Sequence, residues 1–142
     1  KTKILSHSAK QLSSLYAPFR SAAFSKKCQF THIDKSSCQI ACTNPRQILR
    51  EVETDINEGA DMVMIKPGLL SLDVVCMIKE KFGFPIAVQN VSGEYAMIKA
   101  AAMHGLIKEE LWKVSSIASI KRAGADRIIS YFSMDLARYL EN

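Results

Sequence analysis

Segments typical of short strands and of helices alternate along most of this chain, and this alternation restricts the possible fold more than any other feature. A Gly-Ala-Asp turn occurs twice, at 59–61 and at 124–126. Each time it closes a helical segment and leads into a run of strand-forming residues. Such turns are typical of repeated βα units. Repeated βα units imply parallel strands with helices outside, so the sequence predicts an α/β fold.

The apolar patterns predict four strands and five clear helices. The strands are expected at 4–8, 61–66, 85–91 and 127–132. The helices are expected at 45–58, 72–82, 95–103, 108–123 and 134–140, the first of them capped by Asn44 with Pro45 at its first position. Between them, 9–23 is mixed and broken by Pro18, whereas 25–44 is polar and without a clear period. Four parallel strands are half of a (β/α)8 TIM barrel. We therefore expect 1–142 to be the C-terminal half of one barrel domain, with the other four strands preceding Lys1.

Composition narrows the class of protein further. The chain has 142 residues, of which 48% are hydrophobic, which suits one modest domain with a buried core. No apolar run approaches the ~20 residues that span a bilayer, so no membrane segment is expected. The formal net charge is +5, but the basic residues are scattered and not interleaved with aromatic ones. This pattern argues against a nucleic-acid surface and suits small anionic substrates.

The cysteines do not suggest a metal centre. Cys28, Cys38, Cys42 and Cys76 form no CxxC motif, and with His32 their spacing matches no standard zinc framework. Reduced thiols of an intracellular enzyme are the expectation. The chain begins without a methionine, so we expect a fragment of a longer protein from which any targeting segment is missing.

Lys66 follows the apolar run 62–65 and is followed at once by Pro67-Gly68. This pattern predicts a buried strand that ends in a tight turn. A lysine at that place has its stem in the core, and loss of solvent disfavours its charged form, so its pKa should fall. A neutral amine attacks carbonyl carbons and forms Schiff bases. The alternative is a lysine whose amine simply extends into solvent.

Other reactive side chains follow the neighbouring strands. Lys10 follows the first strand, Ser92 follows the third, and Tyr131 lies near the end of the fourth. In parallel barrels the chemistry lies at the C-terminal ends of the strands. Two amines close together lower each other's pKa by repulsion between like charges. The set of two lysines and two hydroxyl groups therefore favours carbonyl chemistry at this end of the sheet.

Five segments that contain these residues resemble the porphobilinogen synthase (δ-aminolevulinate dehydratase) family. They occur in the same order and with similar spacing across nearly the whole chain, and they match the C-terminal part of that family's subunit. The segments are Ser8-Ala9-Lys10, Ala17-Pro18-Phe19-Arg20, Met64-Ile65-Lys66-Pro67-Gly68, Val91-Ser92-Gly93-Glu94-Tyr95-Ala96-Met97 and Lys121-Arg122-Ala123-Gly124-Ala125-Asp126.

The resemblance implies a lyase reaction in tetrapyrrole biosynthesis. Two molecules of 5-aminolevulinate condense to porphobilinogen with loss of two waters. Lys66 resembles the lysine that forms the Schiff base with the propionate-side substrate, and Lys10 resembles the second Schiff-base lysine. Ser92 and Tyr131 resemble the pair that holds the carboxylate of the first substrate. Arg20 resembles one of the cations that bind the second.

The resemblance also gives a role to the polar stretch 25–44, which corresponds to the family's active-site lid. That lid carries an arginine and, four residues later, a glutamine that contact the second substrate. Gln39 matches the glutamine, but Lys35 stands at the arginine position. Lysine keeps the charge and loses the bidentate geometry of arginine. If the register slips, Lys26 or Lys27 could serve instead.

Cofactor and assembly are further implications of the resemblance. It implies a divalent metal, magnesium or zinc, no organic cofactor, and a homo-octamer with an N-terminal arm. The family's zinc ligands would precede this segment, whereas Glu51 corresponds to the glutamate of an allosteric magnesium site. Glu51 could equally be an ordinary exposed helix residue. The expected location is the cytoplasm, or a plastid in a plastid-bearing eukaryote.

Two other interpretations stay open on the sequence. One is another Schiff-base lyase of the aldolase type, which would share a strand-end lysine but not paired lysines with this Ser-Gly-Glu motif. The other is a non-catalytic fragment or assembly subunit that cannot turn over substrate alone.

Overall fold

The computed structural model describes residues 2–23 and 39–141, and in these ranges the chain forms one parallel sheet covered by helices. The strands lie in the order β1-β2-β3-β4. Their bounds are β1 (Leu5–Lys10), β2 (Met62–Lys66), β3 (Ile86–Asn90) and β4 (Arg127–Ser130). The helices are α1 (Ala17–Ala23), α2 (Pro45–Asn57), α3 (Leu72–Phe82), α4 (Ser92–Met103), α5 (Glu109–Arg122) and α6 (Ser133–Leu140). This arrangement confirms the predicted α/β class.

The hydrophobic core lies between the sheet and its outer helices. Val63 and Ile65 of β2 belong to one buried cluster with residues of β3 and of three helices, namely Ile48, Val52, Val75, Ile78, Ile86, Val88 and Ile120. Successive side chains of a strand point to opposite faces. Met64 and Lys66 therefore lie on the other face of the sheet.

Helix α2 begins as its sequence predicts. The Asn44 side chain accepts a hydrogen bond from the Gln47 N–H at 3.1 Å, and Pro45 is the first helical residue, where its missing N–H costs nothing. Ile48 and Val52 are fully buried on the predicted apolar stripe. This stripe attaches α2 to the sheet.

The two Gly-Ala-Asp turns have the same hydrogen-bond pattern. The Asp61 N–H donates to the Ile4 carbonyl, and the Asp61 carboxylate accepts the Ile4 N–H at 2.8 Å. Asp126 makes the same pair of bonds with Ile86, also with 2.8 Å to the carboxylate. Each aspartate thus joins the start of one strand to the start of the strand beside it. We refer to this side as the N-terminal end of the sheet, and to the side of Lys66 as its C-terminal end.

Several element boundaries differ from the sequence predictions. Lys10 is the last residue of β1 rather than a residue beyond it, because β1 continues to pair with β2 as far as Lys66. Pro18 does not break 9–23, since it lies in the first turn of α1, where proline is tolerated. Ser92 is the first residue of α4, which therefore begins earlier than the predicted start at 95. Tyr131 lies just after β4.

In the two described ranges, no helix is both long enough and apolar enough to cross a membrane.

Candidate active site

Lys66 ends β2 with its amine between two polar side chains. Its Nζ lies 3.3 Å from His7 Nδ1 and donates a hydrogen bond to Gln89 Oε1 at 3.4 Å. Burial lowers the pKa of Lys66, and the nearby charge of Lys10 lowers it further. Both causes favour the neutral amine, which is the form that attacks a carbonyl carbon.

Lys10 lies beside Lys66, because these two residues are register partners at the ends of β1 and β2. The Lys10 Nζ is 5.4 Å from the centroid of the Tyr16 ring, and the Arg20 guanidinium carbon is 5.6 Å from the same centroid. Two cations therefore approach one aromatic ring, within the range of cation–π attraction. The fold brings together three of the residues predicted from the sequence.

Tyr16 connects this group to the strand ends. Its hydroxyl lies 2.9 Å from the Gln11 carbonyl and 3.1 Å from the Lys66 carbonyl, and it donates to these oxygens. Burial raises the pKa of the Tyr16 hydroxyl, so it stays protonated as a donor. This contact holds the backbone beneath the Lys66 side chain.

Glu94 holds the turn after β2 against the start of α4. Its side chain is 0% exposed and accepts hydrogen bonds from three backbone N–H groups, those of Gly68, Leu69 and Val91. Burial raises the pKa of this carboxyl, whereas the three donors oppose that rise. With its oxygens engaged by the backbone, Glu94 serves to position the turn rather than to exchange protons with a substrate.

Ser92 has partners in the protein itself. Its Oγ accepts the Phe19 N–H at 3.1 Å and donates to the Leu15 carbonyl at 3.3 Å. The next residue has to be glycine, because a Cβ on Gly93 would lie 2.5 Å from the Leu15 backbone. These contacts pack the first turn of α1 and the segment before it directly onto the first turn of α4.

Tyr131 has different neighbours from Ser92. Its side chain is 50% exposed, and its ring centroid is 5.6 Å from that of Tyr95 on α4. The phenol is therefore accessible at the C-terminal end of the sheet. Ser92 belongs to α4 and Tyr131 contacts α4 through Tyr95, but among the described residues the two have no partner in common.

A polar pocket lies beside β1. Its volume is about 310 Å³, and its lining residues come from β1, α2 and the segment before α2, namely His7, Ser8, Lys10, Gln39, Ile40, Gln47 and Glu51. Among the described residues, the Ser8 hydroxyl and the Gln39 amide are buried without a hydrogen-bond partner. Unsatisfied buried polar groups are costly, and a polar ligand could satisfy them. Lys35, the other predicted lid residue, lies outside the described residues, as do Lys26 and Lys27.

Glu51 is exposed on α2 and also lines a second surface pocket with Arg46 and Arg50. Within 2–23 and 39–141, no three acidic, histidine or cysteine side chains come close enough together to hold a metal ion. The described part of the chain therefore supplies no complete metal site around Glu51.

Four residues of this site were missed from the sequence: His7, Tyr16, Gln89 and Glu94. Gln89 lies in the mostly apolar strand β3, and its alternation with the core-facing Ile86 and Val88 was a signal that could have found it. His7 lies in a polar strand whose register with β2 is irregular, so alternation does not reveal it. Tyr16 and Glu94 act through long-range contacts to backbone atoms, which local patterns do not reveal.

The chain matches the family model described as delta-aminolevulinic acid dehydratase over residues 1–139. It is 49% identical over 139 residues to the delta-aminolevulinic acid dehydratase of Synechococcus elongatus, covering 98% of this chain and 42% of that protein. The protein of the same name from Archaeoglobus fulgidus is 48% identical over 141 residues, with 99% and 42% covered. This chain therefore spans about 42% of the length of these relatives.

A solved structure gives the same result for the fold. It is the delta-aminolevulinic acid dehydratase (porphobilinogen synthase) of Toxoplasma gondii in complex with the reaction product porphobilinogen. The TM-score is 0.90 at 43% sequence identity, covering 97% of this chain and 39% of that chain. The sheet described above corresponds to part of the barrel of that enzyme.

Proposed function

Because the chain belongs to the delta-aminolevulinic acid dehydratase family, we propose that it is part of a lyase that condenses two molecules of 5-aminolevulinate to porphobilinogen with loss of two waters. One observation carries this proposal. Lys66 and Lys10 end adjacent strands in register, and the pKa of Lys66 is lowered by burial and by the charge of Lys10. Paired amines of this kind suit a reaction that activates two ketones.

We propose that the Lys66 amine attacks the ketone of the propionate-side substrate. The carbonyl oxygen leaves as water, and an iminium remains on Lys66. The iminium withdraws electrons from the adjacent carbon, which can then lose a proton and form a carbon–carbon bond. Lys10 forms the second Schiff base with the acetate-side substrate. Its proximity to Lys66 supports this pairing, because it brings both carbonyl carbons to one end of the sheet.

The substrate carboxylates need donors or cations. We propose Ser92 and Tyr131 for the first substrate, and Arg20, Gln39 and Lys35 for the second. The exposed phenol of Tyr131 and the position of Arg20 beside the Tyr16 ring support this assignment. The unpartnered amide of Gln39 supports it as well, because a carboxylate would satisfy its N–H₂ group. Ser92 would have to exchange its Leu15 contact for the ligand.

We propose that a divalent metal acts outside the Schiff-base chemistry, with magnesium held through Glu51. The exposed carboxylate of Glu51 could bind a magnesium ion that keeps most of its waters, which is how this ion is often held. Arg46 and Arg50 line the same pocket and oppose a cation there. Magnesium stimulation that disappears in Glu51→Gln would support this site. Magnesium stimulation that persists in Glu51→Gln would show that the metal is held elsewhere.

We further propose that catalysis needs a unit larger than this chain, namely a complete barrel in a homo-octamer. In the described ranges β4 pairs on one side only, and the outer edge of β1 meets only a short bridge to Ile40 at its C-terminal end, which leaves two largely open sheet edges. Large apolar side chains near these edges are exposed, including Ile4, Leu5 and Ile129. Open edges and apolar surface favour association. We therefore expect the isolated 142 residues to be inactive. In that respect the chain alone would be a non-catalytic fragment of the enzyme.

The test is porphobilinogen formation by the full-length protein supplied with 5-aminolevulinate. Lys66→Arg keeps a positive charge but cannot provide a neutral amine, so activity should fall by about 1,000-fold or more. The matched control is Lys81→Arg, because Lys81 is an exposed lysine on α3. Porphobilinogen formation by Lys66→Arg at the wild-type rate would refute the proposal, as would a wild-type protein that makes none.

A further inference from the structure

His7 lies beside the amine of Lys66, although the proposed reaction has so far used no histidine. It is an exposed residue of β1, and its Nδ1 is 3.3 Å from Lys66 Nζ. At that distance the two nitrogen atoms share a hydrogen bond, with the direction set by the protonation of each. The contact joins a proton-exchanging side chain to the proposed nucleophile.

The charges around His7 favour its neutral form. Partial burial lowers the pKa of the imidazole, and Lys66 of β2 and Lys10 of its own strand lower it further. Glu51 of α2 is the acidic residue in the lining of the pocket beside His7. An imidazole that is neutral near pH 7 can accept a proton from an ammonium group.

We propose that His7 is the proton-transfer residue of Lys66 during formation of its Schiff base. This inference rests on the function proposed above and adds a catalytic residue to that same site. The proposal is based on the 3.3 Å distance between His7 Nδ1 and the reacting nitrogen, Lys66 Nζ.

The proton steps balance without any further reactant. His7 first takes a proton from the Lys66 ammonium, and the neutral amine attacks the ketone carbon, whose π electrons move to oxygen. The imidazolium returns that proton to the oxygen. His7 then takes a proton from the carbinolamine nitrogen and delivers it to the hydroxyl group, which leaves as water while the nitrogen lone pair forms the C=N bond. A ketone and an ammonium thus become an iminium and water, with His7 unchanged.

The other described groups around Lys66 are less suited to these transfers. The Gln89 amide oxygen, 3.4 Å from Nζ, accepts a hydrogen bond but does not ionise near neutral pH. Lys10 is a cation that repels a proton on Lys66. The oxygens of Glu94 are held by backbone N–H groups. Among the described residues at hydrogen-bond distance of Lys66 Nζ, His7 is the one whose pKa suits proton exchange.

The experiment measures the rate at which the Lys66 adduct forms in the full-length protein. Protein and 5-aminolevulinate are mixed at a series of pH values and quenched at timed intervals into borohydride at one fixed pH, and the Lys66 peptide is quantified by mass spectrometry. His7→Asn keeps an acceptor oxygen close to the place of Nδ1 but cannot carry a proton. His104→Asn is the matched control, because His104 is exposed on the turn after α4.

We expect His7→Asn to form the Lys66 adduct about 100-fold more slowly, as for loss of a general acid–base group. The part of the pH profile that titrates with the imidazole should disappear and leave only the limb set by the Lys66 amine, while the final amount of adduct stays at the wild-type level. In His7→Ala, added imidazole should restore the rate in proportion to its concentration. A residue with a purely structural role would give neither the changed profile nor the rescue.

His7→Asn with the wild-type rate and pH profile would overturn this inference alone. Absence of any Lys66 adduct in the wild-type protein would overturn both this inference and the proposed function. If His7→Asn does not fold, imidazole rescue of His7→Ala decides the question, and a rate that is low and independent of imidazole contradicts the inference.

Discussion

At the N-terminal end of the sheet the aspartates Asp61 and Asp126 have fixed partners, whereas at the C-terminal end the two lysines repel each other. Asp126 binds both the Ile86 N–H and the Lys79 amine, the latter at 2.9 Å, and these partners lower its pKa. At the opposite end Lys66 faces Lys10, and burial and repulsion lower its pKa. Charged groups stabilise the fold at one end and are held in a reactive state at the other.

Charged residues at the N-terminal end of the sheet therefore contribute to stability, and those at the C-terminal end serve the proposed chemistry. Paired charges at the start of a strand contribute to folding, whereas a lysine with a lowered pKa opposes it until the pH rises. Proteins often accept such a cost where a function requires it.

The strongest contrast comes from removing one lysine at each end. In full-length protein, Lys66→Met should reduce adduct formation with 5-aminolevulinate by about 1,000-fold or more, because the nucleophile is gone. Lys79→Met should leave it within about twofold, since Lys79 only pairs with groups at the N-terminal end such as Asp126. Adducts counted after borohydride reduction measure both effects. Equal losses of adduct formation in the two variants would contradict the proposed difference between the two ends of the sheet.

Removing Lys10 tests the repulsion itself. Lys10→Met takes away the second cause of the lowered pKa of Lys66 and leaves the first, burial. The pKa should therefore rise towards 10.5 without reaching it, and the pH of half-maximal adduct formation at Lys66 should move upward. For every tenfold increase in proton affinity, the neutral amine becomes about tenfold rarer at pH 7. A pH profile of Lys66 trapping measures this change, and a downward movement of the midpoint would contradict the account.

Packing at the C-terminal end is the next test. Gly93→Ala puts a methyl group 2.5 Å from the Leu15 backbone, so a main chain rather than a flexible side chain has to move. We expect a loss of about 1–3 kcal/mol in the free energy of unfolding. Gly59→Ala is the comparison, because its Cβ meets nothing within 4 Å and only its φ of 98° is unfavourable. Urea unfolding of the two variants should show the larger loss at Gly93.

The smallest effect is expected at Asp126. The partly exposed carboxylate contributes about 0.5 kcal/mol after screening by solvent, and Asp126→Asn should lose that amount at pH 7. Because the folded pKa is lowered, the contribution is complete above the ordinary value of 3.8 and disappears as the pH falls through the lowered pKa. The free energies of unfolding of the wild type and of Asp126→Asn, measured with urea, should therefore differ at neutral pH and converge in acid. A difference in unfolding free energy between the two proteins that grows as the pH falls would contradict this prediction.

The sequence predicts those parts of the molecule that depend on local chemistry. The Asn44–Pro45 start of α2, its apolar stripe and the strand that ends at Lys66 follow from capping, periodicity and turn residues. Boundaries are predicted less accurately. The expected break at Pro18 is wrong, because proline fits the first turn of a helix, and β1 extends to Lys10 because β2 pairs with it there.

The site is only partly predictable for a related reason. Strand-end lysines can be found from sequence because a parallel sheet brings strand ends together. The place of His7 beside Lys66 depends on an irregularity in the β1–β2 register between Ser6 and Ala9, which no local pattern reveals. The role of Glu94 depends on backbone donors from a turn 25 residues away.

The central claim is that Lys66 is the amine that attacks 5-aminolevulinate. It is tested most directly by treating full-length wild-type protein with the substrate and borohydride and then mapping the modified lysines. We predict a reduced adduct on Lys66, because its lowered pKa leaves a larger fraction of this amine neutral than in an ordinary lysine. Porphobilinogen production with no adduct on Lys66 would contradict the claim.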